Sequence, residues 1–405
     1  MAASAILAAS FTLATIGVAA ASTTPQATKA LSYLATKQQA DGSLPDGLGE
    51  NADYALGAKF HGLDPNNLKA SSGKSVYDYF TAWVMNSSAC PPKATNPRDG
   101  NSVGKLVQAV VGGGHDPTSF GGRNLLADLE GPGGSKNGIY DPSTGAFLDC
   151  ASGGQNAVYA QANSILGLEV ANNPLYPVPA AALQHLRSLQ SSSGGWASFG
   201  TDDTNTTSLA LMALAPLQNS CGTVDAALAA ALRFLHTQQD PASGGMAFSN
   251  LGQYGSPDSD PDSDALVIQA LVDVGENPSG PAWTNSKGSP ASDILSFQDA
   301  TSGGFSFDHS SAPNAFTTSE VPAGLDRGPF PDGIPDAVAV TCPAPPTPTV
   351  AAAAAASSPA PKLPLAGRPH QDPPLTALIL GAALGGPSVL VAARGLHTRG
   401  ERREA

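Results

Sequence analysis

The chain has 405 residues, 20 Lys+Arg against 33 Asp+Glu, a formal net charge of −13, 41% apolar residues, 44 Gly and 35 Pro. That glycine and proline content stays below the level of low-complexity chains, so a large packed core is available. The body carries no block of Lys or Arg, which excludes nucleic acid as a partner because neutralising phosphates takes clustered cations.

Residues 1–21 read as a secretory signal peptide. Ala5 to Ala21 is an uncharged apolar run that ends in Ala19-Ala20-Ala21 before Ser22, an A-x-A cleavage pattern without the usual basic leader. An uncleaved anchor is the alternative.

From residue 26 to residue 335 the sequence repeats itself about every 50 residues. An Asn or Asp followed by a small residue recurs as Asn51-Ala52, Asn101-Ser102, Asn156-Ala157, Asn205-Thr206, Asp262-Ser263 and Asn314-Ala315. Each opens an apolar run, and Asn and Asp are preferred helix caps, so the spacing predicts six helix starts at these positions. Asp64-Pro65, Asp116-Pro117, Asn173-Pro174 and Asn277-Pro278 are the expected stops, with Ala215-Pro216 in the fourth repeat. Before each start lies another helical run, and the clear copies close on glutamine and then glycines: Gln38-Gln39 before Gly42, Gln190 before Gly194-Gly195-Trp196, Gln239 before Gly244-Gly245-Met246, and Gln298 before Gly303-Gly304-Phe305. Tyr79 to Val84 and Leu125 to Leu129 fill the same place in the two weaker repeats. Runs before the glycines are apolar on one side only, as in Leu228, Leu232 and Leu235, whereas runs after the starts are apolar nearly all round. One-sided helices face solvent and all-round apolar helices are enclosed, so the expectation is an all-α (α/α)6 toroid, with six outer helices around six inner ones.

Past the body, 341–374 is a Pro/Ala-rich stalk, 375–393 is a charge-free stretch long enough to cross a bilayer, and 394–405 is a basic tail with Arg394, Arg399, Arg402 and Arg403. The ends together imply an exported, cell-surface protein with its body outside the cytoplasm and a single membrane helix. Leu363-Pro364-Leu365-Ala366-Gly367 also resembles a sortase sorting signal with Ala for the usual Thr, which leaves wall attachment open. Cys90, Cys150, Cys221 and Cys342 allow three disulfide connectivities in such a compartment, and none forms a C-x-x-C.

The Gln190, Gly194 and Trp196 spacing resembles the Gln-Trp motif of the squalene cyclase and prenyltransferase repeat, with Gln239/Gly244 and Gln298/Gly303 as decayed copies. The toroid is also similar to the corrinoid-carrier domains of transcobalamin and intrinsic factor. The resemblance implies the ring fold and serves several functions, so activity has to come from site residues. In such a ring the inner helices are parallel and their N-termini share one mouth, whose partial positive charges favour ligand capture. The expected ligand-binding rim is Asn51, Asp53, Asn101, Asn156, Trp196, Asp202, Asp203, Asn205, Asp262, Asp264 and Asn314. A terpene cyclase of this family uses Asp-x-Asp-Asp to protonate an alkene; Asp258, Asp260, Asp262 and Asp264 alternate here without an adjacent pair, which makes Asp262 and Asp264 the alternative catalytic residues. Asp202 with Asp264 would be the carboxylates of a glycan-active ring. Prenyltransferase zinc ligation is not matched by Asp149-Cys150. No cofactor is expected; the alternatives are calcium on the alternating aspartates and a corrinoid on His61 or His115. The leading expectation is a non-catalytic module binding a small molecule, a glycan or an envelope protein.

Overall fold

The computed structural model describes residues 24–89, 97–134, 138–150, 154, 157–218, 222–250 and 256–326. The signal peptide, stalk, membrane span and tail all lie outside the described residues. Among those described, no helix is long and apolar enough to cross a membrane.

Among the described residues, twelve helices form the ring. The inner six are α2 (Leu48–Phe60), α4 (Gly100–Gly112), α6 (Ala157–Ala171), α8 (Thr204–Leu214), α10 (Pro261–Asp273) and α12 (Ala315–Asp326). The outer six are α1 (Pro25–Ala35), α3 (Val76–Asn86), α5 (Leu125–Leu129), α7 (Ala180–Ser188), α9 (Gly222–Gln238) and the short α11 (Pro290–Asp293), which runs on as a 3-10 turn to Phe297. Each inner helix packs on the next, and α12 returns to α2, so the ring is closed. The neighbours are parallel: Asn101 near the start of α4 meets Asn163 of α6, and Asn205 near the start of α8 meets Ser263 of α10. Every residue of α8 is buried, as its all-round apolar pattern requires.

Small residues set how closely the inner helices approach. A Cβ on Gly104 would lie 2.3 Å from the Asn163 carbonyl oxygen, and one on Gly167 would lie 2.8 Å from that of Gly104, so α4 and α6 meet backbone to backbone. The large aromatics Trp196, Trp283, Phe80 and Phe305 fill the space between the two rings instead. The six inner helices themselves carry only Tyr54, Phe60, Tyr159 and Phe316.

The glutamine and glycine of each repeat form a clamp. The Gln190 side-chain amide donates to the carbonyls of Gly194 (2.8 Å) and Ala227 (2.9 Å), tying its own turn to the following outer helix. Gln38, Gln239 and Gln298 likewise hold the carbonyls of Gly42, Gly244 and Gly303; Gln38 and Gln239 also reach the Leu68 and Trp283 carbonyls, which precede the following outer helix, and Gln298 reaches the Gln26 carbonyl of α1 at 2.9 Å, which closes the outer ring. In the first repeat, of the pair Gln38-Gln39, the clamp is Gln38. The third repeat lacks an outer glutamine, and Gln161 of the inner helix α6 replaces it: it donates to Gly145 and Ala182 and accepts from the Phe147 N–H, all at 2.9 Å. Buried amides of this kind contribute about 1 kcal/mol per hydrogen bond and cost more when left unpaired.

The helix boundaries differ from the sequence expectation in a consistent way. Asp99, Asp203 and Asp260 are the caps, accepting the N–H groups of Ser102, Thr206 and Ser263, so Asn101, Asn205 and Asp262 sit two residues inside their helices. Each segment offers two acceptable caps two residues apart. Pro261 decides the matter in α10, because proline is favoured as the first helical residue. Asn51 is likewise inside α2, where its side chain accepts from the Leu44 N–H at 2.7 Å. Asn314 does cap α12, accepting from Thr317 at 2.8 Å. The stops come from left-handed residues rather than from the prolines: at Gly62, Gly114 and Gly275 φ is between 75° and 80°, and paired bonds such as Leu63 N–H to Ala58 carbonyl close the helix end.

Candidate functional site: an acidic basin inside the ring

A charged residue on an enclosed inner helix faces either the outer ring or the lumen. Five such residues converge near the inner-helix N-termini: Glu50 and Asp53 on α2, Lys105 on α4, Asp262 on α10 and Glu320 on α12. Glu50 and Asp53 are three residues apart and therefore share a face of α2. Asp53 and Lys105 form an ion pair at 2.6 Å. Asp262 is raised by the charge on Asp53, although α12 stands between their helices, and Glu320 feels Lys105 across α2. Helices that are not neighbours in the ring interact this way only through its interior.

The electrostatics are those of a desolvated cluster of charges. Asp53 and Lys105 keep 20% and 15% of their side-chain surface open, yet burial is the largest cause raising the Asp53 carboxyl. Burial pushes Glu50 up to about 7, with Asp53 and Asp46 adding to the effect and Lys105 opposing it. Burial raises Asp262 well above the ordinary carboxylate range, reinforced by Asp260 and Asp53. Glu320 is raised well above it too, by burial and then by Asp262 and Asp53. Four carboxyls thus share one lysine, and desolvation shifts each of them toward its protonated form. Asp262 is 3% exposed, and its Oδ1 has no hydrogen-bond partner.

The other expected rim residues serve the scaffold. Asn101 accepts from the Asn163 amide at 2.8 Å and Asn205 from the Ser263 hydroxyl at 2.9 Å, each joining two inner helices. Asp203 is a fully buried cap that also accepts from Ser198. Asp202 is held by the Ser191 and Ser193 hydroxyls in the glycine turn. Asn156 lies outside the described residues. Trp196 is corrected from rim to core: it is fully buried, and its indole N–H donates to the Leu186 carbonyl at 2.7 Å.

Asp262 and Asp264 do not form a joint acid site. Two residues apart on a helix they point about 200° apart. Asp264 faces the outer ring, where its Oδ1 accepts from the Met246 N–H at 2.8 Å; its carboxyl is raised well above the usual range first by burial and then by Asp293 of α11, and its Oδ2 has no hydrogen-bond partner. Asp264 serves one turn and Asp202 another, so they make no glycan-cleaving pair. The four alternating aspartates diverge in the same way: Asp258 holds Ser256, Asp260 caps α10, and among the described residues no group of His, Cys, Asp or Glu is placed to hold a metal. His61 has both ring nitrogens engaged, with Asp326 at 2.8 Å and Thr28 at 2.9 Å, which leaves none for a corrinoid. His115 bonds Asn66 at 2.7 Å and packs on Tyr77 and Phe120.

Glu50, Lys105 and Glu320 escaped the sequence reading, which followed the helix caps. Their signal was present nonetheless, as single charges inside otherwise enclosed helices. At the far end of the lumen Glu169 of α6 and Asp273 of α10 interact across α8, and burial raises Glu169 well above the usual range. A separate surface cleft of about 370 Å³ lies by the C-terminal ends of α2 and α4, between Lys59, Leu63, Pro65 and Gly113.

The closed ring of six helix pairs defines a terpenoid cyclase-like α/α toroid. Among solved structures the chain is similar to a variant of the type II terpene cyclase MstE from Scytonema in complex with its substrate, geranylgeranyl dihydroxybenzoate, with 16% identity and a TM-score of 0.50 over 75% of this chain and 96% of that one. A second is protein geranylgeranyltransferase-I from Candida albicans, with 12% identity and a TM-score of 0.43 over 74% and 90%. At these identities the likeness concerns the fold. No protein-family model and no curated protein sequence matches the chain.

Proposed function

We propose that this toroid is a non-catalytic binding module, displayed outside the cell on a C-terminal tether, whose ligand enters the acidic basin at the inner-helix N-termini. The observation that carries the reading is Asp262: a buried carboxyl at the lumen whose Oδ1 has no protein partner, in a fold where the equivalent Asn101 and Asn205 are satisfied. An unpaired buried polar atom costs about 1–3 kcal/mol, a cost that a ligand donor would offset. Two features speak against proton-transfer catalysis on an alkene. Burial and neighbouring carboxyls raise Asp262 and so weaken it as an acid, and Asp264, the residue needed to assist it, faces the other ring. The lumen also offers few aromatic faces to a carbocation. Surface display is supported by the sequence of the two ends and by Cys150, which is disulfide-bonded, as suits an oxidising compartment.

The test incubates the full-length protein with squalene and with geranylgeranyl diphosphate and follows products by mass spectrometry. No turnover is expected from the wild type. Product that disappears in Asp262→Asn would overturn the reading in favour of an enzyme.

A further inference from the structure

We infer that the basin's ligand is an organic cation bearing N–H donors, a primary amine or diamine, held by Asp262, Glu320 and Glu50. The inference rests on the binding reading above and names its ligand class. Lys105 engages Asp53 at 2.6 Å and also acts on Glu50 and Glu320, so one cation serves these carboxyls, whereas the charges acting on Asp262 are both acidic. Asp262 Oδ1 is an acceptor without a donor, and the chain supplies no second cation near it among the groups acting on Asp262 and Glu320, which are Asp53, Asp260, Glu50 and Lys105. An anion would add charge of the wrong sign. A bare metal ion needs several ligands converging on one point, and among the described residues no such set exists. An ammonium group instead spreads three donors over separated oxygens, which suits carboxyls contributed by α2, α10 and α12. Access is through the open edge of Asp53, Lys105 and Glu320, which are only half-buried.

The chemistry predicts proton exchange. Without a bound cation, burial and acidic neighbours shift Glu50, Asp262 and Glu320 toward their protonated forms. A bound ammonium favours their ionised forms, so binding expels protons and tightens as pH rises from about 5.5 to about 8. Isothermal titration of the full-length protein with putrescine and with propylamine, run in two buffers of different ionisation enthalpy, reads both affinity and protons released. The expected result is saturable binding of putrescine with net proton release, an affinity at least tenfold higher at pH 8 than at pH 5.5, and loss of at least tenfold on Asp262→Asn. Glu320→Gln gives the same loss if the first variant does not fold, as judged by circular dichroism. Glucose and inorganic phosphate are the neutral and anionic controls. Binding of glucose or phosphate that Asp262→Asn abolishes, with no amine binding, would overturn the cation and retain the basin. No binding of any probe, or amine binding unchanged in both variants, would overturn the inference, whereas turnover in the assay above strikes the non-catalytic reading alone.

Discussion

The inner ring has two unlike arcs built on one repeat. In the neutral arc, α4 and α8 carry Asn101 and Asn205 two residues after their capping aspartates, and both are answered by a side chain of the next helix. In the acidic arc, α10 carries Asp262 at the same position after the same kind of cap, and its free oxygen faces the charges of α2 and α12. The position one turn into the helix behaves differently again. Thr207 and Asp264 both turn outward to accept the N–H of Trp196 and Met246, so the acid on α10 merely replaces a hydroxyl in a shared structural role. A repeat therefore separates residues by comparison with themselves: Asp264 keeps the backbone bond that its copy Thr207 makes and leaves only its second oxygen unpartnered, whereas Asp262 lacks the cross-helix partner that Asn101 and Asn205 have.

The largest expected effect breaks the neutral arc. Gly104→Val forces a branched side chain into the Asn163 backbone, 2.3 Å from where its Cβ would stand, and should cost about 3 kcal/mol or more and shift the melting temperature down sharply. Circular dichroism melts of the wild type and the variant check this. An unchanged Tm would mean that α4 and α6 are not in backbone contact.

Next comes the pH dependence of the acidic arc. Glu50 titrates near 4.5 when unfolded and is pushed up to about 7 in the fold, so between these values the native state holds a proton that the unfolded state has released. Stability from this group is complete below about pH 4.5 and is lost as pH rises through 7, with Asp262 and Glu320 raised in the same direction. Denaturant melts at pH 5 and pH 8 should show a loss of about 1–3 kcal/mol on going to the higher pH. A protein more stable at pH 8 would contradict a protonated basin.

The third test probes the clamp where it departs from its copies. Gln161→Ala removes three buried hydrogen bonds and leaves Phe147, Gly145 and Ala182 unpaired, for a loss of about 2 kcal/mol, while Gln298→Ala removes two part-buried ones and costs about 1 kcal/mol. Urea melts of both variants give the ranking, and an equal or reversed order would deny Gln161 its substitute role.

The smallest effect sharpens the comparison most. Exchanging the arcs' chemistry by Asp262→Asn should flatten the pH dependence and add about 1 kcal/mol at pH 8, where the wild-type basin is being forced to ionise. Asn205→Asp should introduce a new loss of similar size at that pH, because its partner, the Ser263 hydroxyl, answers only part of a buried charge. Paired melts at pH 5 and pH 8 check both directions.

Much of the scaffold was legible without coordinates. The spacing of Asn51, Asn101, Asn205 and Asn314, the recurrent glutamine and glycine, and the contrast between one-sided and all-round apolar runs are local patterns, and local patterns determine helix number, order and which ring each helix joins. What the sequence left undecided is where helices begin among adjacent caps and which way a side chain then points. One residue of helix is about 100° of rotation, so reading α10 from Asp262 rather than from Pro261 hides the fact that Asp262 and Asp264 face opposite walls. The basin itself joins Glu50, Asp53 and Lys105 to Asp262 and Glu320 from the far end of the domain, and no spacing rule links such distant residues. Only closure of α12 on α2 brings them into one lumen, because a charge on an enclosed helix is placed by its neighbours in space and not by its neighbours in the chain.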